Sequence, residues 1–297
     1  MLAVPGSSQR FIEKSRGLGV DAVFLDLEDA VAPAAKAQAR GQIVAALNEG
    51  GWIAPTVTVR VNDWDTPWTT ADVLEVVGGA GTHIDAIVLP KVQSAQQVVA
   101  LDMVLRQAEA SAGLPIGNIG LEVQIEDASG LQQVDAIAAA SERLESLVFG
   151  PGDFMASMGM RGLSVGSQIA GYEADAFHYV LSRILVAARA NGLQAIDGPY
   201  VSIRDLPGFR ASAAKAAALG YDGKWVVHPS QVESGNDLFT PDPDQIERAR
   251  RIVDAYQKAT DAAGGAVGAI VVDDEMVDEA GMKVAQAILA KSGHGRV

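Results

Sequence analysis

Apolar and polar residues alternate with period two in several short runs, and between the runs the apolar residues recur at helical spacing. Residues 56–62, TVTVRVN, set Val57, Val59 and Val61 on one face and Thr58, Arg60 and Asn62 on the other. Residues 119–126 set Leu121, Val123 and Ile125 against Glu122, Gln124 and Glu126. Residues 22–28 set Val23, Leu25 and Leu27 against Phe24, Asp26 and Glu28, with Asp29 in the turn that follows. Further short runs at 2–4, 85–92, 146–150, 194–200 and 224–228 bring the strands to eight, and helical patterns at 9–16, 93–112, 130–141, 177–191 and 206–219 lie between them. Strand and helix alternating in this way over about 230 residues predict an α/β fold, a (β/α)8 TIM barrel. An open doubly wound sheet is the rival. No GxGxxG follows the first strand, however, and polar columns recur on several strands, as a closed barrel with one shared mouth requires.

The last segment falls outside the eightfold pattern. Pro241 and Pro243 open a charged helix to about residue 263, Gly264-Gly265 breaks it, 269–272 is a short extended piece, and 282–291 is a final helix. The chain therefore divides into a catalytic barrel over 1–239 and a helical extension over 240–297, either a lid over the barrel mouth or an arm for a neighbouring subunit.

A strand that carries acids along one face cannot turn that face to oil without partners. The acids collect at strand ends. Glu126 closes one strand, and the Gly-Pro-Gly after the 146–150 strand delivers Asp153. Two carboxylates at neighbouring strand ends suit magnesium, a hard cation held by one or two carboxylates plus substrate oxygens. Glu28 and Asp29 gather similarly, whereas Asp26 reads as a structural counter-ion. Arg60 shares the polar interior, either as a counter-ion or as the holder of an oxyanion. Lys91, at another strand end, is a reserve candidate for a Schiff base. The loop Pro5-Gly6-Ser7-Ser8, followed by Arg10 and Lys14, has the character of a phosphate-binding helix start, although alone it reads more simply as an ordinary cap with surface charges. Four glycines between 155 and 171 suggest a mobile loop over the site. No serine triad is visible, and His83, His178, His228 and His294 show no zinc spacing.

Composition narrows the ligands. The 297 residues are 48% hydrophobic with a net charge of −14, which argues against nonspecific nucleic-acid binding and against an anionic membrane surface. Any anionic ligand must be met by local basic residues. Cysteine is absent, so neither a disulfide framework nor a thiolate nucleophile is available. The amino terminus has no basic region followed by an apolar run, and no long uninterrupted apolar stretch occurs elsewhere, so a soluble cytoplasmic protein is expected.

PGSSQRF, FLDLEDAVAP, VRVN, LPKV, the IED glutamate, the FGPGDF aspartate, IDGPY and GKWVVHPSQ, in that order, resemble the HpcH/HpaI aldolase and citrate lyase beta-subunit-like family, and within it the malyl-CoA/β-methylmalyl-CoA lyases. The resemblance covers essentially the whole chain. It implies that Glu126 and Asp153 bind magnesium, or manganese in its place, with Glu28 and Asp29 as the acidic cluster behind the metal. It implies that Arg60 polarises a thioester or enolate oxygen, that the loop carrying Ser7, Ser8, Arg10 and Lys14 meets coenzyme A, and that Asp278 is a catalytic aspartate reaching a neighbouring subunit's site. From its residues alone, Asp278 reads as an exposed helix-cap acid, with Asp273 and Asp274 as close competitors. The implied reaction is reversible cleavage of a 3-hydroxyacyl-CoA to an acyl-CoA and a 2-oxo acid, glyoxylate or pyruvate, in a homotrimer or homohexamer. After Arg161 the chain is shorter than those lyases, near the acyl end of the site. Citramalyl-CoA cleavage, malyl-CoA hydrolysis and noncatalytic acyl-CoA binding are the alternatives.

Overall fold

In the computed structural model, which describes residues 1–167, 169–262, 264–265 and 268–293, eight strands hydrogen-bond in chain order as one parallel sheet. The first half of the alternation runs β1 (Leu2–Pro5), α1 (Gln9–Ser15), β2 (Ala22–Asp26), α2 (Lys36–Glu49), β3 (Thr56–Arg60), α3 (Thr69–Ala80), β4 (Ala86–Leu89) and α4 (Ala95–Ser111). The second half runs β5 (Gly120–Ile125), α5 (Ala128–Gln132), α6 (Val134–Ala138), β6 (Leu144–Phe149), α7 (Pro151–Ser157), α8 (His178–Ala190), β7 (Gln194–Asp197), α9 (Leu206–Leu219), β8 (Gly223–Lys224) and α10 (Val232–Phe239). The sheet closes on itself. Ala3 N donates to Val226 O at 3.0 Å and Val226 N donates to Met1 O at 2.9 Å, tying β1 to the chain just beyond β8.

Closure explains why the two faces of each strand differ so sharply in sequence. The outward residues Val23, Leu25, Val59, Leu121 and Val123 are fully buried beneath the helices. The inward ones form the barrel lumen, where Phe24, Val88, Val148, Ile196 and Trp225 pack as one cluster. Asp26, Thr58, Arg60, Glu122, Gln124 and Ser146 are buried with them. Both faces are therefore covered, as parallel sheets require, and the polar column seen in the sequence is the inside of the barrel. Parity also sends Asp197 outward, where it pairs with Lys224 behind the barrel wall instead of joining the lumen.

Chain contacts divide the molecule into Met1–Gly235 and Asn236–Val297, the boundary falling within α10. The second unit holds α11 (Pro243–Ala262), an antiparallel pair β9 (Ala269–Val272) and β10 (Glu275–Asp278), and α12 (Glu279–Ser292). Its helices pack on each other around Ala249 and Ala285, with Val277 buried beside them. Several elements go beyond the sequence pattern, among them α7, α10 and β10. The strand hides because its hairpin turns on Asp273 and Asp274, with φ of 50° and 63°, a left-handed pair usually announced by Asn-Gly. The expected helix over 130–141 is also broken in two, at Gln133. Among the described residues, no helix is long and apolar enough to cross a membrane.

Candidate active site

Strand register builds the site. Asp26 lies directly opposite Arg60 on the neighbouring strand, so the guanidinium grips it with two parallel bonds, Nε to Oδ1 at 2.7 Å and Nη2 to Oδ2 at 2.8 Å. Arg60 Nη1 reaches across to Gln124 Oε1 at 3.3 Å and lies 3.0 Å from Glu28 Oε2. The ring faces of Phe24 and Trp225 sit 5.5 and 5.0 Å from its central carbon. A guanidinium has five N–H donors, and Asp26 and Gln124 take three, leaving two on a fork anchored along its Asp26 edge. Burial opposes the charge on Arg60, but Asp26, Glu28 and Glu126 around it prevail and keep it protonated. Burial likewise opposes ionisation of Asp26; the Arg60 charge and the bonds from Arg60, Glu28 N and Ala30 N overcome it and hold this carboxyl below its ordinary range.

The carboxylates beyond this pair are less well compensated. Glu126, just past β5, accepts one bond, from Lys91 N to Oε1 at 2.6 Å. Burial, helped by the charges of Glu28 and Asp153, pushes it up to about 8 against the opposing pull of Arg60 and of the Lys91 N–H. Glu28 is also raised, first by burial, against the pull of Arg60 and Lys91. Its Oε2 is buried and accepts no aligned hydrogen bond despite the nearby Arg60 charge. Asp153 sits in the first turn of α7. Its charge acts on both Glu126 and Lys91. Gly150 packs so closely against Glu126 that a Cβ there would collide with the carboxylate and its own Cβ.

The structure thus brings Glu28, Asp29, Arg60 and Glu126 into one network with Asp153 beside it. The loop Pro5-Gly6-Ser7-Ser8 lies against the end of β2, where Gly6 N donates to Asp26 O at 2.8 Å. Ser8 occupies the N-cap position of α1 without a side-chain cap bond. Arg10 and Lys14 are exposed. Asp278 belongs to the second unit, where it caps α12 by accepting from Gly281 N at 2.9 Å. His294 lies outside the described residues, as does Gln168 within the glycine-rich segment. Lys91 is not free for a Schiff base. Its Nζ contacts Glu28 Oε1 at 2.5 Å and Asp29 Oδ1 at 3.3 Å, which raises its pKa against the opposing effect of burial. Gln124 and Trp225 were the residues of this network to which sequence reasoning gave no role, whereas Asp26, read as a structural counter-ion, is the counter-ion of Arg60. Only the two-residue spacing of Phe24, Asp26 and Glu28 marks Asp26 as an inward neighbour.

Among the described residues, no cluster of three or more His, Asp or Glu side chains is drawn together tightly enough to hold a metal unaided. The donor set still fits magnesium. Hard oxygen donors, a carboxylate at Glu126 whose ionisation is opposed first by burial and then by the charges of Glu28 and Asp153, and an acceptor at Glu28 Oε2 without an aligned hydrogen bond are together short of positive charge, and a magnesium site completed by substrate oxygens needs only one or two carboxylates.

A closed (β/α)8 barrel with a fixed arginine fork and acidic groups at the carboxyl ends of its strands has the layout of barrel enzymes that work on polarised oxygens. The chain belongs to the HpcH/HpaI aldolase/citrate lyase family, whose model matches residues 1–229. It is 38% identical to an L-malyl-CoA/beta-methylmalyl-CoA lyase of Cereibacter sphaeroides, over 97% of this chain and 92% of the relative. It is 36% identical to a (3S)-malyl-CoA thioesterase of the same species, over 98% and 93%. Among solved structures, protein CitE of Mycobacterium tuberculosis in complex with magnesium, acetoacetate and coenzyme A superposes with a TM-score of 0.76 at 28% identity, covering 99% of this chain and 97% of that one.

Proposed function

We propose that this protein is a magnesium-dependent carbon–carbon lyase that cleaves, and in reverse forms, a 3-hydroxyacyl-CoA such as malyl-CoA or β-methylmalyl-CoA, giving acetyl-CoA or propionyl-CoA and glyoxylate. The observation that carries this reading is the Arg60 fork, anchored on Asp26 with two donors to spare, beside the undercompensated carboxylate Glu126. The full-length likeness to a malyl-CoA/beta-methylmalyl-CoA lyase supplies the substrate class.

Glu126 and Asp153 would hold the metal, with Glu28 and Asp29 behind them. When bound, magnesium, or manganese in its place, supplies positive charge that orients the carboxylate and hydroxyl of the acyl chain and eases loss of the hydroxyl proton. In cleavage, the bond between the hydroxyl-bearing carbon and the carbon next to the thioester breaks, and its electron pair passes to the acyl-CoA fragment as an enolate. Arg60 faces the enolate oxygen with its spare N–H groups, a contact of the kind worth about 3–4 kcal/mol of barrier. Asp278, delivered by a neighbouring subunit of a homotrimer or homohexamer, protonates the carbon. Ser7, Ser8, Arg10 and Lys14 supply the local polar and positive groups for coenzyme A that a chain of net charge −14 otherwise lacks. The enzyme works in the cytoplasm.

A thioesterase reading has its own support in the 36% identical malyl-CoA thioesterase. Incubating malyl-, β-methylmalyl- and citramalyl-CoA with the enzyme and magnesium, and identifying every product, separates the two. Acyl-CoA plus glyoxylate or pyruvate is the outcome expected, with pyruvate marking citramalyl-CoA as the substrate. Free CoA with the hydroxy acid intact would identify a hydrolase, and binding without turnover of any thioester would defeat both.

A further inference from the structure

Three non-glycine residues among those described have positive φ. Asp273 and Asp274 form the turn of a hairpin, which demands that conformation. Lys91, at φ 51°, forms no hairpin; it follows Pro90 at the end of β4, where a side-chain-bearing residue gains nothing locally from left-handed backbone. Its contacts supply the compensation. From this backbone Lys91 directs its N–H onto Glu126 Oε1 at 2.6 Å and its Nζ onto Glu28 Oε1 at 2.5 Å, with Asp29 Oδ1 at 3.3 Å. Glu28 in turn presents Oε2 to Arg60 Nη1 at 3.0 Å. One residue therefore joins the end of β5, which carries Glu126, to the end of β2, which carries Glu28, and through Glu28 to the arginine fork on β3. β4 lies between β3 and β5 in the sheet, so no other strand end stands as a direct neighbour to both.

We propose that Lys91 is a positioning residue that couples the two halves of the site. Its backbone occupies Glu126 Oε1 and leaves Oε2 for the cation, while its ammonium holds Glu28 against Arg60 and so fixes the direction of the spare N–H donors. This rests on the lyase reading given above for the use to which Arg60 is put. It also separates two effects that a simple counter-ion would merge. Removing a cation from among Glu28, Asp29, Glu126 and Asp153 leaves the site more negative, so magnesium should bind at least as well, whereas a Glu28 released from its tether takes away the charge facing Arg60 Nη1, so that edge of the guanidinium should tilt about its Asp26 anchor and slow the chemistry.

The test compares Lys91→Met and Lys91→Arg with the parent in the full-length protein. Magnesium affinity is measured by calorimetry without substrate, and kcat and KM with the best thioester of the panel. A third measurement needs no turnover. Trp225 stacks on Arg60 at 5.0 Å, so the 19F resonance of 5-fluorotryptophan at that position, assigned by its loss in Trp225→Phe, reports where the guanidinium lies. For Lys91→Met we expect kcat to fall about 10- to 100-fold, the range seen when partners of metal ligands are removed, with magnesium affinity and KM unweakened. The Trp225 resonance should move as it does in Glu28→Gln, and Lys91→Met should add little further loss to Glu28→Gln. Lys91→Arg should recover part of kcat. An unmoved resonance, an unchanged kcat, or a loss of magnesium affinity matching the loss of kcat would each overturn the proposal. Were the parent inactive on every thioester while the resonance still moved, the tether would stand and the lyase reading would fall.

Discussion

Glu126 gathers the consequences of the site at the scale of one residue. Its carboxyl sits near 8 because burial and the neighbouring charges of Glu28 and Asp153 outweigh Arg60, and a cation can bind it only when it is ionised. Magnesium binding at pH 7 should therefore expel about one proton, and at pH 9.5 almost none. Calorimetry in two buffers of different ionisation enthalpy measures this directly; proton release that does not vary across that range would remove Glu126 from the ligand set. The same shift fixes a stability trend. A carboxyl raised in the folded state stabilises the fold below its unfolded pKa and loses that contribution as pH climbs through the folded value, so the metal-free protein should melt lower at pH 8.5 than at pH 6, and the gain in Tm on adding magnesium should be larger at pH 8.5. Glu122, which burial and the Glu145 charge push to about 7 against the Ser146 hydroxyl and the amino-terminal charge, contributes in the same direction. Much of this was legible in sequence. The alternation in residues 119–126 already placed Glu122 and Glu126 on one polar column, and that column could be buried only inside a closed barrel. What alternation could not give was the pairing across strands, because that Asp26 faces Arg60, and that Lys91 turns back on Glu126, depends on register and on one left-handed residue.

At the scale of elements, the site depends on how strands hand over to helices. Between β6 and α7 the chain passes through Gly150 with φ −105°, a backbone any residue can adopt, so the glycine is needed for space and not for conformation. A Cβ there would press on both the carboxylate and the Cβ of Glu126, and the base of a side chain cannot swing aside as its tip can. Gly150→Ala should consequently fold, keep its circular dichroism spectrum, and lose about 10- to 100-fold in magnesium affinity, as when other supports of a ligand are disturbed. An unchanged magnesium titration would show that Glu126 has room to shift. The Gly-Pro-Gly motif was visible in the sequence as a strand end delivering Asp153. The structure adds that Asp153 rides on the first turn of a helix whose N1 position is Pro151, the place where a missing N–H costs least. Element boundaries were less legible where an unusual turn replaced a familiar one. The Asp273-Asp274 hairpin concealed β10, and with it the fact that Asp278 ends a strand, whereas its capping of the next helix was legible in the sequence.

At the scale of the molecule, the chain is two compact units, and Asp278 lies in the second. Taken by itself, that unit has an ordered architecture, a hairpin and two helices held partly by the surface pairs Arg248–Glu275 and Arg251–Asp273, yet it buries few large apolar side chains of its own. Val271 and Met276, which face each other across the hairpin, are 73% and 74% exposed, and Val284 on α12 is 62% exposed. A small unit with so little core gains stability by docking. If it docks on the next copy of the chain, the contact is head-to-tail and closes as a ring, consistent with a trimer or a hexamer of two trimers. Each site then needs Glu126 from one chain and Asp278 from another. Asp278→Ala and Glu126→Gln proteins should each be nearly inactive alone, while mixtures allowed to exchange subunits should regain part of the parental rate. In such mixed rings, some sites receive an intact carboxylate cluster from one chain and an intact aspartate from its neighbour. Subunit exchange can be verified separately by mass spectrometry of differently labelled chains. Exchange without recovery would confine Asp278 to its own chain or to the capping of α12 alone, and the second unit would then have to be explained as a structural appendage.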